Sequence, residues 1–250
     1  MHTKDLGFAV IKSSEHVPAF IEASCKQSYL RSKHLYKKRL TRKITITLCS
    51  TQQEWLKAIK YYRWPNAAGV VLRNGDIALK APDLLVVQAK EKQRTRISGH
   101  AMKKWHKQLE KWSTKAVKNV ILHEFSHVFW THHYKTTQPN WLNEGLASAV
   151  QITHSITKEE VINGIKERKL NEKSLLYRMR IQKHPGGKKG GLYYYNLWRY
   201  FTLFVTNNNL RRAVQFMDEY SKRPSRKKYE HLFKKYFGMT EKEAWNAFIN

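Results

Sequence analysis

His123-Glu124-Phe125-Ser126-His127, followed after sixteen intervening residues by Glu144 inside Trp141-Leu142-Asn143-Glu144-Gly145-Leu146-Ala147, is the stretch that decides the reading of this 250-residue chain. Residues at i and i+4 of a helix share one face with their Cβ atoms about 5–6 Å apart, so two imidazoles so spaced converge on one centre. Neutral imidazole nitrogens are good ligands for Zn2+, and a catalytic zinc takes three protein ligands and keeps one position open. His123 and His127 meet the first condition, and Glu144 supplies the third ligand if the chain turns back at Pro139-Asn140 and starts a second helix. Glu124, one residue past the first histidine, points toward a metal-bound water and is the candidate general base.

The surroundings favour a purpose for these polar groups. Ala116 to Leu122 lead into the motif and Val128-Phe129-Trp130 follow it, so two histidines and a glutamate sit on a largely apolar helix where burial without function is costly. The competing reading is a buried histidine pair satisfied by Glu144 with no metal. His132 and His133 fall off the i, i+4 pattern from His127 and read as surface or supporting residues. Trp141 and Asn143 read as packing and capping residues of the glutamate helix.

HEFSH with the glutamate in WLNEGLA resembles the gluzincin clan of zinc metallopeptidases, particularly its compact members with a W-x-x-E-G-x-A glutamate helix. The resemblance implies His123, His127 and Glu144 as ligands of Zn2+, Glu124 as the catalytic glutamate, and hydrolysis of peptide bonds. It also implies a zincin-like α+β fold: a small mixed sheet with the active-site helix, packed on an all-helical C-terminal lobe. Tyr193-Tyr194-Tyr195-Asn196-Leu197-Trp198 resembles the helix on which many gluzincins carry a donor to the tetrahedral oxyanion. Tyr194 is the choice because Trp198 and Phe201 fall at i+4 and i+7, with Tyr193 and Tyr195 as the alternative registers.

The order of elements leading to the motif follows from periodicity. Ser13 to His34 reads as helical, within an N-terminal helical extension over 1–42. Lys43 to Cys49 alternates as a half-buried strand with Ile44, Ile46 and Leu48 on one side. Thr51 and Glu54 form a capping box for a helix running to about Arg63. Ala67 to Lys80 reads as a hairpin, with Asn74-Gly75 suited to a type I′ turn and the second strand as an edge on which an extended substrate can lie. Leu84 to Gln88 reads as a further strand, giving a sheet with helices on one face. An upper lobe over 43–155 and a helical lower lobe over 156–250 complete the expected domains. In the latter, Glu159–Leu170, Tyr193–Val205, Leu210–Tyr220, Lys228–Phe237 and Thr240–Ile249 carry helical periodicity, the last opened by a Thr240/Glu243 capping box. His184 to Gly191 reads as a surface loop placed where a lid or hinge would lie.

Composition bounds the rest. At 41% hydrophobic residues the chain can bury a real core. No apolar run reaches eighteen residues and the first residues lack a secretory pattern, so a cytoplasmic protein is expected. The two cysteines, Cys25 and Cys49, are too few for a disulfide framework. With 47 Lys and Arg against 19 Asp and Glu, the charge of +28 attracts acidic peptides, nucleic acid or anionic surfaces without choosing among them. Two further function classes therefore accompany the peptidase: a basic nucleic-acid-associated binding module on the same fold, and a protease dedicated to one protein target.

Overall fold

A computed structural model describes residues 1–60, 66–93, 100–134, 136, 139–151, 156–167, 170 and 190–250, without the side chains of 92, 93, 100–107 and 190–193. Among these residues the chain is α+β, with five strands and ten helices. It divides into two compact units, residues 1–31 with 39–128, and residues 32–38 with 129–250.

The first unit is built on a mixed sheet of β1 (His2–Asp5), β2 (Ala9–Ser13), β3 (Ile44–Cys49), β4 (Gly69–Val71) and β5 (Ile77–Lys80), in the order β1-β2-β3-β5-β4. The three inner strands are parallel and the two outer ones antiparallel to their neighbours. Strand β3 carries the expected alternation, with Ile44, Ile46 and Leu48 buried. The expected helical N-terminal extension is corrected, because two strands precede helix α1 (Ala19–Tyr36). Asp5 supplies the turn between them, its Oδ1 accepting from the Gly7 amide at 2.8 Å. Lys43 holds the same carboxylate at 2.6 Å.

The capping box is present. Thr51 caps helix α2 (Gln52–Ala58) and Glu54 reaches back to it; residues 61–65, into which that helix was expected to run, lie outside the described residues. Leu84–Gln88 is not a strand but part of helix α3 (Pro82–Gln93). A short apolar run does not distinguish a strand from a buried helix, and here Pro82 in the first turn with Asp83 beside it starts a helix.

Both faces of the sheet are covered, not one. Cys49 and Ala78 pack with Trp55, Ile59 and Leu84 on the α2 and α3 side, while neighbours of opposite parity, Leu79 and Gly69, face the helix that bears the motif. Lys80 is fully buried on the first side, its Nζ bonded to Gln88 at 3.1 Å and 4.8 Å from the Trp55 ring centre. The hairpin also departs from expectation. Gly75 has φ +81° but Asn74 does not have positive φ, and Leu72 and Asp76 close a three-residue loop, so the turn is not type I′. Strand β5 is paired on both sides, and the edge strand is β4.

Helix α4 (His100–His133) carries the motif. Among the described residues the regular elements of the second unit are otherwise helices: α5 (Asn140–Ala149), α6 (Lys158–Glu167), α7 (Gly190–Val205), α8 (Arg211–Tyr220), α9 (Arg226–Phe237) and α10 (Glu241–Ile249). The periodic segments form helices, although α6 ends at Glu167, residues 168–169 lie outside the described residues and Leu170 is not helical, and the Thr240/Glu243 capping box forms. Its core is aromatic: Trp141 donates from Nε1 to the Tyr229 hydroxyl at 3.1 Å and packs edge-on against Phe201.

Candidate metal centre

Around the motif, helix α4 buries its apolar residues, which makes the polar ones there conspicuous. Ile121, Phe125, Val128 and Phe129 are essentially inaccessible, and among them Glu124 is only 7% exposed. His123 and His127 are half-buried on the face that the i, i+4 spacing predicts. Their Nε2 atoms are 3.1 Å apart, with the rings at 82°. Two nitrogens about 2.0–2.1 Å from one tetrahedral ion are separated by roughly 3.3–3.4 Å. The pair is therefore set close to ligating distance, and the same separation also suits an N–H···N hydrogen bond.

Glu144 joins them. One ligand atom from each of His123, His127 and Glu144 lies within 4.8 Å of the others, a group able to hold a metal ion. Glu144 sits in the first half of α5, started by Pro139, whose carbonyl accepts from the amides of Leu142 and Asn143. The helix starts at Pro139-Asn140 as expected, with Pro139 at the N-cap making no side-chain bond and Asn140 the first helical residue. The next residue, Gly145, fixes how α5 lies on α7. A Cβ there would collide with Thr202 Oγ1 and stand 2.7 Å from the Trp198 carbonyl oxygen, so only glycine permits this approach. In WLNEGLA, the glycine thus sets the packing that carries the neighbouring carboxylate.

A second close approach brings the sheet edge to Glu124. A Cβ on Gly69 in β4 would collide with Val120 and lie 3.1 Å from Glu124 Cγ. Sequence reading missed this glycine, and the signal available was only its place at the start of a short β-run.

Tyr194 is buried in α7 at 1% exposure, its ring 6.1 Å from that of Trp198; Tyr195 abuts the same indole at 6.0 Å. The Tyr193 side chain lies outside the described residues, as do residues 184–189 of the expected loop, whose last two residues begin α7. Residues 152–155 between α5 and α6 are likewise outside the description. No helix among the described residues is long and apolar enough to cross a membrane.

No protein-family model matches the chain. No curated protein matches it either. The reading of the centre rests on its own geometry.

Proposed function

We propose that this chain is a zinc-dependent peptidase of the gluzincin type, and the observation that carries the reading is the convergence of His123, His127 and Glu144 on one small volume. Two imidazoles and one carboxylate are the donor set of a catalytic zinc site, and three protein ligands leave a place for water and substrate. Bound there, Zn2+ supplies Lewis acidity, lowering the pKa of a water toward neutrality and polarising a carbonyl oxygen.

The chain's own groups do the rest. Glu124 follows the first ligand on the same helix, where burial sharpens its electrostatics, and it accepts the proton of the attacking water and returns it to the leaving amine. The tyrosine helix α7 contributes Tyr194 as the donor to the developing oxyanion, a contact worth about 3–4 kcal/mol of barrier. Strand β4, the sheet edge that comes against Glu124, offers its backbone to an extended substrate in place of the β5 edge expected from sequence. The charge of +28 biases the substrate toward acidic peptides.

A panel of acidic, neutral and basic fluorogenic peptides tests this reading, assayed with wild type, Glu124→Gln and chelator-treated protein. Cleavage lost in the variant and restored to the chelated protein by Zn2+ supports it; turnover undiminished in Glu124→Gln removes it.

A further inference from the structure

The second unit contains a cavity of about 530 Å3 that uses none of the residues of the metal centre. Its size falls within the usual range for small-ligand sites, about 300–1,000 Å3. Among the described residues, Lys158 and Arg212 line it together with Phe204, Phe237, Asn207 and Asn208, and no carboxylate does.

Neither Lys158 nor Arg212 has an ion-pair partner among the described residues. Lys158 instead holds its ammonium over two phenyl rings, 5.7 Å from the centre of Phe204 and 5.5 Å from that of Phe248. Such a lysine has its stem and charge placed against an apolar wall before any ligand arrives.

The rim is shaped by an unusual turn. Asn207 and Asn208 both have positive φ, 51° and 60°, directly after α7. Their amide N–H groups are satisfied by the carbonyls of Phe204 and Leu203 at 3.0 and 2.8 Å. The turn therefore ends the helix without using the side-chain amides, which make no hydrogen bond among the described residues and belong to two exposed residues of the cavity lining.

We propose that this cavity binds a small amphiphilic anion: a carboxylate, phosphate or sulfonate head set between Lys158 and Arg212, on an aromatic or short aliphatic body lying against Phe204 and Phe237. The cations demand the head, the rings demand the body, and the amides of Asn207 and Asn208 donate to the head's remaining oxygens.

Fluorescence titration of the full chain with 1-anilinonaphthalene-8-sulfonate tests the proposal. A basic protein attracts any anion, so the decisive comparison is between two double variants of equal net charge. Lys158→Gln/Arg212→Gln weakens binding by about tenfold or more, as expected for losing charge-assisted contacts. Lys111→Gln/Lys115→Gln, which removes two exposed lysines of α4, leaves the affinity within about twofold of wild type. Met239→Trp fills the cavity with every charge retained and gives the same loss as the site variant. Equal weakening by the two double variants, or unchanged binding in Lys158→Gln/Arg212→Gln or Met239→Trp, overturns the site.

Discussion

Thr202 Oγ1 occupies the space that a β-carbon on Gly145 would need, and the Trp198 carbonyl closes the same space from the helix backbone. The glutamate helix and the tyrosine helix therefore meet at a glycine one residue after a metal-ligand candidate. Gly145→Ala is expected to destabilise the chain by about 1–3 kcal/mol, the usual cost of overpacking. Adding Thr202→Ala relieves the hydroxyl clash but not the carbonyl one, so the double variant recovers only part of the loss. Thermal unfolding of the two variants checks this, and full recovery would show that the backbone contact is unimportant.

Glu124 and His127 are expected to separate chemistry from metal binding. Glu124→Gln keeps the shape and the ligands and loses the base, lowering turnover by about 10²–10⁴ with metal content unchanged. His127→Ala removes a ligand and loses metal and turnover together. Parallel metal analysis and single-substrate kinetics distinguish these outcomes; equal metal loss in both variants would place Glu124 among the structural ligands instead.

Both thiols are held in the protonated form. Burial raises Cys25 to about 12, with Glu22 adding to it, and burial raises Cys49 to about 12, with Glu54 adding and Lys80 opposing. The thiolate is the nucleophile, so neither cysteine should react with a disulfide reagent at pH 8 on the timescale of a free thiol. Denaturation should release two equivalents. A fast native equivalent would show that one of these pockets opens readily.

The capping carboxylates tie stability to acid pH. Glu243 is held below its ordinary value of 4.5 by the Thr240 amide and then its hydroxyl. Burial would raise Glu54, but bonds from Ser14 and from the amides of Ser50 and Thr51 outweigh it and leave the group lowered. A carboxyl lowered in the folded state stabilises it above the unfolded value and withdraws that support as pH falls. Tm should therefore decline below about pH 4.5, and Glu243→Gln should lower Tm near neutrality while flattening that decline. An unchanged acid limb in the variant would assign the decline to other groups.

The parts of the fold legible in the sequence were those with a strong local signal. The alternation of Ile44, Ile46 and Leu48 gave β3, two S/T-x-x-E boxes gave the starts of α2 and α10, and the i, i+4 histidines gave one face of α4. What escaped depends on tertiary partners. His2–Asp5 is exposed throughout and has no hydrophobic period, so only pairing with β2 makes it a strand. Val86 is buried as a helical residue although its neighbours read as a strand, because periodicity over five residues does not separate the two. At the site, the two histidines were visible because their spacing is intrahelical. Gly69 was not, since its reason for being glycine is Val120 and Glu124, more than fifty positions along the chain.

The metal content of the purified protein tests the central claim most directly. Zinc analysis of wild type beside His123→Ala should return about one ion per chain and almost none in the variant, as three protein ligands require. A wild-type protein that takes up no zinc, or a variant that keeps it, contradicts the account.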